Sequence, residues 1–227
     1  MPKPRKYLTV CHVNVRSLCA PGRLLDLEIL SANHLPDVLC ATETWLTSMK
    51  TSASVSLPGY QPLFRRDRVG NFCGGVAIYV RLSIPVKLIT LPSHIHIEAL
   101  CLQISLSRKV KQNIFTVYRP PRSRPEIFFS QLYEAIDIVQ RSWASSLCLA
   151  GDFNANVSDW FPEQRRDAAG RLLQQLASSH ILTQVIREAT FGIHSPSPSL
   201  LDVVLQNKPH LFKSVLSFCP LQTIALH

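Results

Sequence analysis

The chain contains no continuous apolar run of about 18 residues, the length that a membrane-spanning helix needs. It contains no Cys-x-x-Cys pair either, and its seven cysteines are scattered, most of them within apolar runs. A zinc site is therefore not expected, and this arrangement is typical of a reducing compartment. The basic start at residues 1–6 leads into a short apolar segment that polar residues interrupt, which is unlike a secretory signal peptide. We predict an intracellular protein, nuclear or cytoplasmic, that is neither secreted nor embedded in a membrane.

Acidic residues are scarce relative to basic ones. The 227 residues include 15 Asp and Glu against 24 Lys and Arg, and the formal net charge is +9. Such an excess predicts an anionic partner, with nucleic acid as the first candidate and a merely basic protein as the alternative. The chain is 46% hydrophobic, enough for a sizeable core, and it shows no internal repeat, linker or low-complexity stretch. We therefore predict a single domain over residues 1–227.

Hydrophobic periodicity predicts strands and helices in a mixed order. A strand at 7–13, a helix at 22–33 and a strand at 37–42 form a βαβ start with a parallel pair. Further strands follow without a helix between them, so antiparallel pairing is expected there; they lie at 60–64, 76–80, 85–91, 97–106 and 112–118. The rest of the chain contains helices at 126–143 and 165–179 and strands at 146–150, 200–205 and 212–218. The order predicts an α/β fold with mixed strand pairing.

The stretch from 146 to 155 has the clearest chemical signal. An apolar strand runs to Ala150, Gly151 is predicted to end it, and Asp152 and Asn154 follow two residues apart. In extended backbone that spacing puts both side chains on one side, at the carboxyl end of a buried strand, where layered α/β folds place their chemistry. Asp152 can orient or deprotonate a water, and Asn154 can both donate and accept hydrogen bonds. The alternative is a structural turn, because Asp and Asn also bond their own backbone.

Other polar residues end or interrupt predicted strands. Asn14 follows the first strand and Glu43 the second, so both are expected at one sheet edge, with a surface position as the alternative for Glu43. Tyr118 ends a strand, where half-buried packing is the alternative to a role in catalysis. Asp202 lies inside an apolar run, and a buried charge is costly unless partnered, so we expect it to hold a histidine or a hydroxyl unless it faces water. The basic loop at 65–68 is either a phosphate contact or a solvated hairpin tip.

Six short motifs follow one another along nearly the whole chain. They are Asn-x-Arg-Ser-Leu at 14–18, Glu-Thr-Trp-Leu at 43–46, Arg-Asp-Arg then Gly-Gly-Val within 66–76, Tyr-Arg-Pro-Pro at 118–121, Gly-Asp-Phe-Asn-Ala at 151–155 and Leu-Asp-x-x-Leu at 201–205. In this order they resemble the endonuclease domain of non-LTR retrotransposons of the long-interspersed-element type. That domain belongs to the endonuclease/exonuclease/phosphatase superfamily, with the apurinic/apyrimidinic endonucleases and DNase I. The resemblance implies a four-layer α/β sandwich, in which two packed mixed sheets have helices outside.

The resemblance also implies a role for each matching residue. Glu43 would ligate a divalent metal, Mg²⁺ or alternatively Mn²⁺, with Asn14 beside it, and oxygen ligands suit such an ion. Asp152 would orient and deprotonate the attacking water, while Asn154 and Tyr118 would support the phosphate. Asp202 would hold the imidazole of a C-terminal histidine. Basic residues would contact the backbone of duplex DNA without reading its sequence, namely Arg16, Arg66, Arg68, Arg119 and Arg122. The implied activity is a Mg²⁺-dependent nick that leaves a 3′-hydroxyl to prime reverse transcription.

The C-terminal end departs from the family pattern. The family ends this site with Ser-Asp-His and one more strand, whereas residues 223–227 read Thr-Ile-Ala-Leu-His and lack the aspartate. His227 is the candidate catalytic histidine, and the last strand is predicted to be missing. We therefore expect a domain that is C-terminally incomplete and separated from the reverse transcriptase of a parent polyprotein. Two alternatives remain open: a catalytically degenerate retrotransposon remnant that still binds DNA, and another phosphodiesterase or phosphatase of the superfamily.

Overall fold

The fold consists of two β-sheets packed face to face, with helices on both outer sides. The computed structural model describes residues 7–70, 73–107, 109–140, 146–193 and 195–218. The helices are α1 (Arg23–His34), α2 (Pro125–Val139) and α3 (Ala168–Ser179), and the strands are β1 (Leu8–Asn14), β2 (Val38–Thr42), β3 (Phe64–Arg66), β4 (Val76–Val80), β5 (Val86–Ile89), β6 (Glu98–Ser105), β7 (Lys111–Tyr118), β8 (Ser146–Asp152), β9 (Thr183–Gln184), β10 (Asp202–Gln206) and β11 (Phe212–Phe218). None of the described helices is long and apolar enough to cross a bilayer.

Both sheets contain parallel and antiparallel pairs. The first sheet has the order β11-β1-β2-β4-β3 and the second the order β5-β6-β7-β8-β10-β9. Strand β1 pairs in parallel with β2 and with β11, and β7 pairs in parallel with β8. The other pairs are antiparallel. The predicted parallel pair at the start of the chain and the antiparallel pairing in its middle are both confirmed.

Alternation along the strands assigns each side chain to an inner or an outer layer. Leu27 of α1 packs with Cys11 and Leu39 on the outer face of the first sheet. Helices α2 and α3 cover the outer face of the second sheet, where their buried leucines contact residues such as Phe115 and Leu149. A third apolar cluster fills the space between the sheets, for example Val10, Ile78, Leu102 and Val204. The four-layer α/β sandwich is thus confirmed.

Several predicted element bounds differ from the observed ones. The strand predicted at 60–64 is shifted to Phe64–Arg66, and Tyr60 forms only an isolated bridge with Arg81. Helix α3 begins at Ala168 rather than at residue 165, because the side chain of Asp167 caps it by accepting a hydrogen bond from Gly170 N at 2.6 Å. The short strand β9 was not predicted, since two residues are too few to show a period. The end of the helix predicted at 126–143 lies partly outside the described residues.

The prediction that Gly151 ends its strand is wrong. Strand β8 continues through Gly151 to Asp152. A Cβ atom at position 151 would collide with the carbonyl oxygen of Val117 in the neighbouring strand β7. Glycine is therefore required for close approach of two backbones rather than for a turn, and this approach brings Asp152 next to the end of β7.

Candidate active site

The predicted site residues meet at one edge of the layer between the sheets. Tyr118 at the end of β7 pairs in register with Asp152 at the end of β8, and Asp152 pairs with Asp202 at the start of β10. From the first sheet, Asn14 ends β1 and Glu43 follows β2 directly. All five were predicted as site residues, and the fold brings them together although they are separated by up to 188 residues of chain.

Asn14 connects the two sheets at this edge. Its Nδ2 donates hydrogen bonds to Glu43 Oε1 at 2.7 Å and to Asp152 Oδ2 at 2.9 Å. Asn14 itself is 4% exposed, so these bonds are sheltered from water. One amide group thus holds a carboxylate from each sheet, and both carboxylates face the same space.

Asp152 is a buried carboxylate with an unusual proton affinity. Burial is the main cause that raises its pKa to about 7, and the charge of Glu43 adds to this. Hydrogen bonds from Asn154 N at 3.0 Å and from Asn14 act in the opposite direction. A carboxylate whose pKa lies near neutrality is suited to take a proton from water at physiological pH.

The loop after β8 is held by a buried arginine. Arg119 Nε donates to Phe153 O at 2.6 Å, its Nη2 donates to Asn154 O, and its Nη1 donates to Ser123 O. In return Asn154 Nδ2 donates to Arg119 O at 2.9 Å. Arg119 is 4% exposed, so its described contacts are internal ones. They fix the position of Asn154 beside Asp152.

Backbone conformations around the site are strained. Among the described non-glycine residues with positive φ, five of seven lie in loops at this edge, namely Arg16, Ser17, Glu43, Trp45 and Asn154. Backbone hydrogen bonds between the loops maintain these conformations, for example Ser17 N to Glu43 O at 2.8 Å and Trp45 N to Gly74 O at 2.8 Å. Strain of this kind persists where the surroundings impose it, and it concentrates at functional sites.

Asp202 is a buried carboxylate and does not face water. It is 3% exposed, and its Oδ1 has no hydrogen-bond partner among the described residues. Burial and the charge of Asp152 raise the pKa of Asp202 well above its usual value. The predicted partner, His227, lies outside the described residues, so that role stays a prediction. The nearest described imidazole is instead that of His12, whose Nδ1 lies 3.7 Å from Asp202 Oδ1.

His12 is a buried residue that the sequence reasoning did not include in the site. It lies on the inner face of β1, two residues before Asn14, and its Nε2 is 3.3 Å from Thr42 Oγ1. Burial lowers the pKa of His12 to about 3, so it is neutral at physiological pH. A histidine within an otherwise apolar strand, at the spacing that shares a face with Asn14, was the signal that could have identified it.

The five arginines predicted to contact DNA fall into two groups. Arg66, Arg68 and Arg119 have internal partners: Arg66 donates to Ile95 O and Ala99 O, and Arg68 pairs with Glu98. Arg16 and Arg122 are exposed, and neither side chain forms a hydrogen bond or ion pair with the residues that the structure describes. Contact with DNA therefore remains a prediction for all five, and the exposed pair has the free guanidinium groups that it needs.

A divalent cation fits the donors at this edge. Glu43 and Asp152 present carboxylate oxygens, and Asn14 lies beside them with its Nδ2 turned to both, while its Oδ1 accepts from Arg16 N. Glu43 also raises the pKa of both Asp152 and Asp202, which marks an excess of negative charge. In the part of the chain that the structure describes, no three His, Cys, Asp or Glu side chains enclose a metal position. Mg²⁺ needs no such cage, because it binds through one or two carboxylates and keeps several waters. A site built on the carboxylate of Glu43, with Asn14 beside it, would meet that requirement.

Known proteins resemble the chain in fold and, in part, in sequence. A family described as endonuclease-reverse transcriptase matches residues 112–221. The endonuclease domain of TRAS1, a telomere-specific non-LTR retrotransposon, has a TM-score of 0.64 and 19% identity over 88% of this chain and 83% of that chain. An AP endonuclease from Leishmania major has a TM-score of 0.68 and 14% identity over 89% and 79%. A 3′-5′ exonuclease from Neisseria meningitidis has a TM-score of 0.65 and 21% identity over 86% and 85%. No curated protein matches the chain significantly.

Proposed function

We propose that the chain is a member of the endonuclease/exonuclease/phosphatase superfamily, and that it is a Mg²⁺-dependent endonuclease that nicks one strand of duplex DNA. The nick would leave a 3′-hydroxyl that primes reverse transcription during retrotransposition. One observation carries the proposal: Asn14 joins Glu43 and Asp152 across the two sheets, and the pKa of Asp152 is raised to about 7. A family description that names an endonuclease-reverse transcriptase and a structural neighbour from a non-LTR retrotransposon support the priming role.

The proposed reaction is a displacement at phosphorus, and the residues at this edge orient the reacting groups. Asp152 takes a proton from a water while the water oxygen attacks the phosphate, and the bond from phosphorus to the 3′ oxygen breaks. The products are a 5′-phosphate and a 3′-hydroxyl, whose proton comes from solvent. Asn14 keeps Asp152 oriented through the hydrogen bond to Oδ2. Bound at Glu43, with Asn14 beside it, Mg²⁺ would neutralise charge that develops on the phosphate and the leaving oxygen.

Donors and cations support the phosphate and its strand. Burial, with the charge of Glu43 second, raises the pKa of Tyr118, so its hydroxyl stays protonated and can donate to a phosphate oxygen. One amide hydrogen of Asn154 is bound to Arg119 O, and the other is available to the phosphate. Arg16 and Arg122 would contact the DNA backbone beside it. The reverse transcriptase domain of a parent polyprotein is the expected partner, and the expected location is the nucleus or the cytoplasm.

A nicking assay tests this function. Supercoiled plasmid is incubated with the protein and Mg²⁺, beside an EDTA control and the variants Asp152→Asn and Asp137→Asn. Asp137 is a matched control, because its side chain is 70% exposed on α2, away from the site. We expect nicked circles with the wild type and with Asp137→Asn. We expect a loss of about 10²–10⁴-fold with Asp152→Asn, which removes the general base, and no nicking in EDTA.

The outcomes separate the alternatives. Folded protein that binds duplex DNA but does not nick it would contradict the proposal and favour a degenerate remnant. Hydrolysis of a phosphomonoester without nicking would favour another phosphatase of the superfamily. Ligation or polymerase extension of the nicked product would identify the 3′-hydroxyl, and failure of extension would contradict the priming role.

A further inference from the structure

A partly buried ion pair lies against the ring of Tyr118. Arg68 donates from Nε and Nη2 to Glu98 Oε1, at 2.8 Å and 2.5 Å. The other carboxylate oxygen, Oε2, accepts a hydrogen bond from Gly75 N at 2.5 Å. The guanidinium carbon of Arg68 then lies 5.6 Å from the centroid of the Tyr118 ring. A cation over an aromatic face at this distance is attracted to it.

The glycine pair before β4 makes room for this arrangement. At Gly74, where φ is +99°, a Cβ atom would lie 2.5 Å from the guanidinium of Arg68. The same hairpin supports the metal-binding side of the site, since Gly75 O accepts from Thr44 N at 3.3 Å and Gly74 O accepts from Trp45 N at 2.8 Å. The backbone at Gly74 and Gly75 therefore contacts both the segment after Glu43 and the guanidinium of Arg68.

Tyr118 depends on packing for its direction. It is 6% exposed, and among the described residues no hydrogen bond holds its hydroxyl. Glu98 pairs with Tyr118 in register across β6 and β7, so the carboxylate that fixes Arg68 originates beside the tyrosine. Besides its packing in the apolar layer between the sheets, the ring has this contact with Arg68 to constrain where the hydroxyl points.

We propose that Arg68, held by Glu98, is a positioning residue that aims the hydroxyl of Tyr118 at the phosphate and does not itself bind DNA. The inference rests on the proposed endonuclease function and replaces the role predicted for Arg68 from the sequence. A guanidinium that reached for DNA would have to leave the largely buried Glu98 carboxylate without its cation, with the hydrogen bond from Gly75 N alone, which is costly. Glu98 becomes functionally important for the same reason, although no motif had pointed to it.

A kinetic double-mutant cycle tests the link between Arg68 and Tyr118. Arg68→Met is expected to lower kcat about 10-fold or more with KM for DNA unchanged, because an interaction made in the transition state is lost. Arg68→Lys, which keeps a cation over the ring, is expected to recover part of that loss. In a Tyr118→Phe background the same Arg68→Met change is expected to cost less than about 3-fold, because the hydroxyl to be aimed is gone. Equal losses in both backgrounds would overturn the proposal.

Measurements of DNA binding test the role of Arg68 independently of catalysis. Affinity for duplex DNA is measured by fluorescence anisotropy over a range of salt concentrations. We expect Arg68→Met to keep the wild-type salt dependence, and Arg122→Met to reduce the slope of log K against log salt by about 0.9, the value for one phosphate contact. Lys111→Met is the matched control: this exposed cation begins β7, at the end opposite Tyr118. A smaller slope for Arg68→Met, as for Arg122→Met, would make Arg68 a DNA contact and overturn the proposal.

Thermal unfolding separates failure of this inference from failure of the function. If the wild-type protein did not nick DNA, the proposed function would be contradicted, but the contact between Arg68 and Tyr118 would still be open to a direct test. The contact is then tested with Arg68→Met, Tyr118→Leu and the double variant, with Glu98→Gln as a milder change should Arg68→Met fail to fold. The contact is supported if the double variant lowers the unfolding midpoint by less than the sum of the two single variants. Additive losses overturn it.

Discussion

The layer between the sheets and the layers beneath the helices are built from the same strands, yet they bury different groups. The cluster under α2 and α3 packs large apolar side chains, with Phe115, Leu132 and Leu149 fully buried. The inner layer is apolar in its middle but ends in Asn14, Asp152 and Asp202, all under 6% exposed. A buried carboxylate costs stability unless it is paired. The comparison shows that the outer layers stabilise the fold, while the inner edge accepts a cost in stability. The cation binding and proton transfer proposed above would account for that cost.

Arg119→Met is expected to have the largest combined effect on stability and nicking, because it removes a buried cation from the inner edge. The carbonyls of Phe153 and Asn154 lose their donors, and hydrogen bonds from charged groups contribute about 1.5–3 kcal/mol each. Urea denaturation is expected to show a free energy of unfolding lower by about 3 kcal/mol, with nicking also reduced. Arg122→Met, three residues further on and exposed, should change stability by less than about 0.5 kcal/mol. Similar values for the two variants would contradict the internal role of Arg119.

Leu132→Ala is the corresponding change in the outer layer. Leu132 is completely buried under α2, so its truncation should cost about 2–5 kcal/mol through lost contacts and a cavity. Because the site lies on the inner side of the sheet, kcat per folded molecule should stay unchanged. Chemical denaturation and nicking kinetics below the unfolding transition measure the two effects. A large fall in kcat would show that the two regions are coupled.

Asp202→Asn is expected to stabilise the metal-free protein while it lowers nicking. The pKa of Asp202 is raised in the folded state, so above about pH 4 the folded protein binds more protons than the unfolded chain and the free energy of unfolding falls as pH rises. The asparagine removes this contribution. The free energy of unfolding of Asp202→Asn should equal that of wild type near pH 4. It should exceed the wild-type value by about 1 kcal/mol or more at pH 8, measured in EDTA. If Asp202→Asn were less stable than wild type at pH 8, the conclusion that the buried Asp202 carboxylate destabilises the fold would be contradicted.

The smallest expected effects distinguish exposed from internal arginines. Arg16→Met should weaken DNA affinity by a few fold and reduce the salt slope by about 0.9, with little change in stability. Arg66→Met should do the reverse, because its guanidinium donates to Ile95 O at 2.7 Å and to Ala99 O at 3.3 Å. Anisotropy and thermal melting on both variants give the comparison. A reduced slope for Arg66→Met would place it on the DNA after all.

Most elements and the central site residues could be predicted because their signals are local. The hydrophobic pattern located β4 at Val76–Val80 and β11 at Phe212–Phe218 as observed. Polar residues at strand ends identified Asn14, Glu43, Tyr118 and Asp152, and a carboxylate inside an apolar run identified Asp202; the fold brings all five to one edge. The roles of Gly151, Glu98 and His12 were missed or misread, because each depends on a neighbouring strand far away in the chain.

Composition, periodicity and motifs were enough to predict the fold class, the basic character and the residue types available for phosphate chemistry. Which arginines are free and which are occupied depends on the folded chain, because an ion pair such as Arg68 with Glu98 joins residues 30 positions apart. The tertiary structure also decided the proton affinity of Asp152. That value arises from burial between two sheets and from the nearby charge of Glu43, and both come into being only when β1, β2 and β8 pack together.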